Sequence, residues 1–464
     1  MPIPEQHVPA QPTPAAIEAN RRGVLLRSQG RLAEAAQAFR EGIAAQPALP
    51  LLHANLATAL AESGDLESAR HAYEAALRRD PDLVPALTGL GALHVRLGRF
   101  AEARAFYERA LQRAPDDIAA HWAMYELEQI DGNLERALFH QRCVLQRKTL
   151  FSRHAPEEQR RVLALMVPGD WQANVPIDFL IDARTTTLHK LYILSADRLD
   201  AQALPRADVI FTAIGEADEH TQALDAAAEL IAHSGLPYVN DPRKVAAANR
   251  ANVARILARV PHVHAPETLR VHRDSLRRGG EPDYPLVVRP VGSQAGRDLA
   301  RIDAAEEWDS YLQRVSAPEF YVMPFVDFRS SDGFYRKYRI IVVDGEPYPF
   351  HEAISPRWMI HYYNAPMREL QWMRDEEAAF LRDFDRVFSA PLRQALREVA
   401  RVLGLEYLGI DCSIDAQGRL LVFEADPAMV VHAGDDAELF GYKIPYAQRI
   451  FDAFAALIDR ARSR

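Results

Sequence analysis

Three prolines, Pro47, Pro81 and Pro115, stand 34 residues apart. A chain that repeats at such an interval folds as a row of like units, each burying its apolar face against the next. Alignment on the prolines stacks Ala35, Ala69, Ala103 and Ala137 in one column and Phe39, Tyr73 and Tyr107 in a second, with Gly30, Gly64, Gly98 and Gly132 in a third. The glycine ends a first helix and turns the chain, the alanine lets two helices approach, and the aromatic fills the seam between units. In the fourth unit Gln141 stands in the aromatic column, and Trp122 and Met124 enter the first helix. Such drift is expected of a terminal repeat that meets a different surface.

These columns resemble the tetratricopeptide repeat. The likeness implies about four helix pairs over residues 15–148, the first helix of each lining a concave groove. Carrying that register over puts Asn20, Val24, Leu51, Thr58, Thr88, Trp122 and Glu126 in the groove. Their mixed character suits a peptide or protein partner, with Trp122 either an aromatic anchor or a buried core residue.

A chain of 464 residues exceeds what one hydrophobic core supports, so further domains follow the repeats. With 55 basic against 64 acidic residues the net charge is −9, which gives a polyanion no purchase and argues against nucleic acid as a partner. The two cysteines, Cys143 and Cys412, lack disulfide or zinc spacing and point to a reducing, cytoplasmic setting. The opening MPIPEQHVPAQPTPAA has neither the basic segment nor the apolar run of a signal peptide, and no stretch reads as membrane-spanning.

From about residue 160 the pattern changes to short apolar runs, RRVLALMV, LHKLYIL and ADVIFTAIG, then a helical DEHTQALDAAAELIAHSG and LPYVN. Alternating strands and helices predict a parallel sheet over 160–242, with Gly169 and Gly215 in loops that face a ligand. Farther on, YLGIDCSIDAQGRLLVFEADP reads as a hairpin closed at DAQG, which puts Glu424 and Asp426 on one face. A four-residue turn at 415–418 would set Asp411 opposite Val422 and diagonal to Glu424, about 7 to 8 Å away. Three converging carboxylates repel one another unless cations join them, and Mg²⁺ is the hard cation that suits such oxygens.

The order NDPRKVAAANRANVARILARV, PLVVRPVGSQAGRDL, FYVMPFVDF, RKYRIIVVDGEPYPFHEAIS and then the acidic hairpin resembles the ATP-grasp ligases, with glutathione synthetase and the ribosomal-protein glutamate ligase as comparisons. The resemblance covers roughly residues 160–464 and implies a multidomain α plus α/β chain. In it a helical solenoid is followed by a pre-ATP-grasp α/β lobe at 160–242 and an ATP-grasp domain at 243–464. It further implies ATP and Mg²⁺ as cofactors. The metal would sit on Asp411, Glu424 and Asp426, the last standing where the family commonly has asparagine.

A glycine-containing flap, Gly292, Ser293 and Gly296, would cover the phosphates, and Met323, Pro324, Phe325 and Val326 would form the hinge that receives adenine. Arg250 and Arg289 stand where the family usually has lysines, which keeps the charge but changes the grip on phosphate. Arg339, with Lys337 on its face, matches the arginine that meets the γ-phosphate and the acyl phosphate. Asp327 and Asp332 are both candidates for the ribose, and the insertion HEAISPRWMIHYYNAPM offers His351, Glu352, Arg357, His361 and Asn364 to an acceptor.

The reading that follows is an ADP-forming carboxylate–amine ligase working through an acyl phosphate. Its co-substrate would be a small amine or carboxylate, and its other substrate a peptide or protein brought by the repeats. Two alternatives stay open: a nucleotide-binding scaffold with a degenerate catalytic body, and a phosphotransferase acting on a hydroxyl.

Overall fold

The computed structural model describes residues 11–194, 204–215, 217–276, 283–293, 296–361 and 364–463. The chain divides into two compact units at Thr149 and Leu150.

Among its described residues the first unit has eight helices in antiparallel pairs: α1 (Pro14–Ser28), α2 (Leu32–Ala45), α3 (Pro50–Glu62), α4 (Leu66–Arg79), α5 (Val84–Arg96), α6 (Phe100–Arg113), α7 (Ile118–Ile130) and α8 (Leu134–Leu145). The three sequence columns have the predicted places. The four alanines are fully buried, Phe39, Tyr73 and Tyr107 are at most 3% exposed, and the four turn glycines all have positive φ. The aromatics need further small residues across the seam: a Cβ built on Gly91 would lie 2.6 Å from the Tyr107 ring, and Gly23 meets Phe39 in the same way. Gln141, in the aromatic column of the last pair, is buried as its predecessors are.

Among its described residues the second unit holds three sheets. The first contains β1 (Leu150–Arg153), β2 (Arg160–Met166), β3 (Thr186–Tyr192), β4 (Val209–Thr212) and β5 (Tyr238–Val239), in the order β1-β3-β2-β4-β5. Its last four strands run parallel, as the alternating pattern predicts, while β1 adds an antiparallel edge. The small second sheet has the order β7-β10-β8-β9, from β7 (Leu269–His272), β8 (Leu286–Pro290), β9 (Ala300–Ile302) and β10 (Glu319–Pro324). The third is β12-β11-β13-β14-β6, from β6 (Val263–His264), β11 (Tyr335–Val343), β12 (Glu346–Ser355), β13 (Tyr407–Ile414) and β14 (Leu420–Asp426).

One core joins the first and third sheets: Leu163, Leu165 and Ile210 pack in the same cluster as Ile340, Ile410 and Leu420. The helix Ala390–Leu403 contributes Leu392, Leu396, Val399 and Leu403 to it, the spacing of a single helical face. Each such side chain stabilises the fold by roughly 1.5 to 3 kcal/mol on burial. The small sheet packs on its own cluster around Val288, Trp308, Tyr311 and Phe320. It is a separately packed leaf, and its β8 leads into the flap. Among the described residues no helix is long and apolar enough to cross a membrane.

Candidate active site

The site begins with hydrogen bonding across the third sheet. Arg339 on β11 stands opposite His351 on β12 and Asp411 on β13, and Asp411 stands opposite Glu424 on β14. His351, Arg339, Asp411 and Glu424 therefore form one cross-strand row. Directly opposed residues share a face, so the row gathers groups from four strands on the same side of the sheet.

This corrects the expected hairpin register. The loop runs through five residues, because Ile414 pairs Leu420, and a bulge between Cys412 and Asp411 then adds one residue on β14. Each shift alone would send Glu424 to the other face, and the two together restore it. Asp415 stabilises the longer loop, its carboxylate accepting from the backbone N–H groups of Gln417 and Arg419 at 3.0 and 2.9 Å.

The three carboxylates differ in what holds them. Asp411 is buried, and its oxygens accept from Arg339 Nε at 2.7 Å, Arg339 Nη2 at 3.0 Å and Lys337 Nζ at 2.9 Å. Burial would raise its pKa, but Arg339 and Lys337 outweigh burial and hold the carboxyl far below the usual carboxylate range. Glu424 is ion-paired with Arg250, and Asp426 accepts from the Ala428 N–H at 2.7 Å.

Among the described residues no three His, Cys, Asp or Glu side chains gather as a metal cage, so the expected convergence of three available carboxylates is corrected. Glu424 and Asp426, two apart on one strand, fit an ion that takes one or two protein carboxylates. Asp411, with both oxygens held by cations, fits it poorly.

Beside this row lies a cavity of about 320 Å³. Arg250, Arg289, Gly296, Lys337, Arg339, His361, Asn364, Asp411, Glu424 and Asp426 line it, and the hinge residues Met323, Pro324, Phe325 and Val326 supply a more apolar wall. Val287, Phe328, Trp358, Leu421 and Phe423 extend that wall. The Phe325 ring is held between the Arg301 guanidinium, 4.3 Å from its centroid, and the edge of Trp358 at 5.6 Å. Gly215, from the loop after β4, also lines the cavity, and a side chain there would collide with Ala428. Arg289 curls onto the flap, donating to the Ser293 carbonyl and, at 3.2 Å, to Ser293 Oγ. Gly292 and Ser293 are set back from the wall, and residues 294–295 of the flap lie outside the described residues.

Three of the acceptor candidates do not line the cavity. Arg357 is exposed and donates its backbone N–H to Ser355 Oγ. Glu352 pairs with Tyr338 on the opposite face of the sheet, where it lies against the helix Gln371–Arg382 and accepts nothing at Oε2. His351 is on the row but buried behind Arg339, and burial followed by the charge of Arg339 pushes its pKa down. Alternation along β12 excludes His351 and Glu352 from serving one site together. From the same insertion, Asn364 and His361 do reach the cavity, tied by the His361 N–H to Asn364 Oδ1 bond of 2.9 Å, and Trp358 joins them. Trp358 carries no sequence signal, since an indole in an aromatic-rich loop reads as packing. The two ribose candidates are engaged elsewhere, Asp327 with Arg329 and Asp332 with Arg336.

A cleft with an apolar wall, four cations and paired carboxylates has the chemistry of a site for a charged, partly flat ligand. Comparison with known proteins adds three findings. Tetratricopeptide repeat models match residues 26–82 and 55–118, so the first unit carries tetratricopeptide repeats. No curated protein sequence matches the chain. Among solved structures, the VanG D-Ala:D-Ser ligase from Enterococcus faecalis is similar over 64% of this chain and 99% of its own, at 10% identity and a TM-score of 0.42. The D-alanine-D-alanine ligase from Coxiella burnetii is similar over 66% and 96%, at 11% identity and a TM-score of 0.40. MamA is similar over 28% of this chain and 77% of its own, at 16% identity and a TM-score of 0.26.

Proposed function

We propose that the second unit is an ATP-grasp ligase that joins a carboxylate to an amine and forms ADP. The observation that carries this reading is the row Arg339–Asp411–Glu424 at the edge of a cavity whose other wall is the apolar hinge segment 323–326. The base would pack against Met323, Phe325 and Val326, and Arg250 and Arg289 would hold the phosphates, with Gly296 of the flap beside them. Glu424 and Asp426 would hold Mg²⁺, which would supply neutralisation of phosphate charge.

Arg339, fixed in orientation by both oxygens of Asp411, presents its remaining N–H donors where charge develops on the transferred phosphoryl group. A substrate carboxylate oxygen attacks the γ-phosphorus and ADP leaves. The amine then attacks the acyl carbon, phosphate leaves, and the amine gives up a proton. Lys337, His361 and Asn364 flank the space for these reactants. The repeats bring a peptide or protein substrate to the enzyme.

The test is nucleotide turnover with Mg-ATP and pooled peptides and amino acids. The account expects ADP release that falls at least about 100-fold in Arg339→Ala, the scale of one transition-state donor, and is lost in Glu424→Ala. Unchanged metal-dependent turnover in Glu424→Ala would refute the assignment.

A further inference from the structure

Four cations, Arg250, Arg289, Lys337 and Arg339, and four carboxylates, Asp218, Asp411, Glu424 and Asp426, line the cavity. Three of the cations are ion-paired with two of these carboxylates, while Asp218, Asp426 and Arg289 have partners outside the set. Asp411 holds Lys337 and Arg339, Asp218 accepts from Tyr321 Oη at 2.6 Å and from Arg270 at 3.2 Å, and Arg250 lies on the carboxylate of Glu424. The Arg250–Glu424 pair differs from the others in joining the two ligands of the reading above: Arg250 is assigned to phosphate and Glu424 to the metal. The side chains are 19% and 24% exposed, so little water screens them.

We infer that Arg250 is a latch on the metal site: without nucleotide it covers Glu424, and an arriving phosphate chain draws it away and opens the carboxylate to a divalent cation. The inference rests on the proposed nucleotide site. Either ligand alone leaves one member of the Arg250–Glu424 pair without a counter-charge. Metal alone must displace a guanidinium from its carboxylate, and phosphate alone leaves Glu424 without its cation. Together they exchange partners, Arg250 to phosphate and Glu424 to metal, and every charge keeps a counter-charge. Coupling of this kind is reciprocal, so each ligand tightens the other by the same factor. The latch prevents a resting enzyme from holding metal and so from polarising water or stray phosphates.

The experiment measures Mn²⁺ binding to the full chain by electron paramagnetic resonance with no nucleotide present, in the wild type, Arg250→Gln and Arg289→Gln. Both variants remove one positive charge from the cavity, but the ion pair with Glu424 is made by Arg250. Arg250→Gln is expected to bind Mn²⁺ at least about tenfold more tightly than the wild type, within the usual range of coupling, and Arg289→Gln to gain far less. Equal gains in the two variants would reduce the effect to bulk charge and overturn the latch, as would no gain in Arg250→Gln. A melting temperature for each variant identifies any that fails to fold, and Arg250→Lys, which keeps the charge but loses the fork, then serves in its place with a smaller gain expected. Calorimetric titration of the wild type with Mg-ATP separates the two claims. Binding there with no Mn²⁺ gain in Arg250→Gln sinks the latch alone, and no binding at all sinks the nucleotide site and the latch with it.

Discussion

Asp411 is the residue on which the site geometry depends most. It is buried, yet charged, because Arg339 and Lys337 both donate to it. Removing one member of a buried ionic group leaves the others uncompensated, which costs about 3 to 5 kcal/mol. Asp411→Asn is therefore expected to lower the unfolding free energy by an amount of that order in a urea titration, and to abolish turnover because Arg339 loses its orientation. The opposite face of the sheet carries a second signature. Burial raises the pKa of Glu352 to about 8, outweighing the nearby Arg336, so this carboxyl is protonated in the folded chain at neutral pH. A carboxyl raised above its ordinary 4.5 favours the fold below that value and loses the advantage as pH climbs toward 8. Stability should fall across that window, and Glu352→Gln should flatten the fall; an unchanged slope would show that other groups set it. Arg339, Glu424 and Asp426 stand out in the sequence as charged residues on apolar strands, whereas Arg250, the first residue of the helix Arg250–Leu257, stands out only through the family resemblance. Glu352 was not legible in this way, since its function-like placement beside His351 hides an alternation that sends the two to opposite faces.

Among the elements, the repeat pairs read most directly, since a period of 34 fixes both helix lengths and contacts. The seam glycines give a test: in Gly91→Ala the added methyl meets the Tyr107 ring, and overpacking of this kind costs about 1 to 3 kcal/mol. A circular dichroism melt should show the first unit losing helix at lower temperature. The acidic hairpin was legible as a hairpin but not in register. Its turn residues announce a reversal, yet the DAQG motif does not distinguish a four-residue from a five-residue loop, and the bulge beside Asp411 has no signature in side-chain type. The two errors cancelled, which is why Glu424 and Asp426 still fall on the predicted face. The strands of the first sheet were found from their apolar runs, whereas β1, short and only half buried, lacked that signal.

At the scale of the whole molecule, the sequence pattern marked where helices yield to sheets, and the structure divides close to that point, at Thr149. What the pattern could not reveal is that the first and third sheets share one core while the small sheet keeps its own, because clusters form between segments far apart in the chain. That arrangement puts β8, which leads into the flap, on a leaf packed separately from the sheet that carries the row of charges. The central claim is that this cavity uses ATP to make an amide. The most direct measurement incubates the full chain with Mg-ATP, pooled peptides and pooled amino acids, then identifies nucleotide products by chromatography and conjugates by mass. The account predicts ADP, phosphate and a product heavier by one amine component less water; a phosphorylated product without an amide, or tight ATP binding with no turnover, would contradict it.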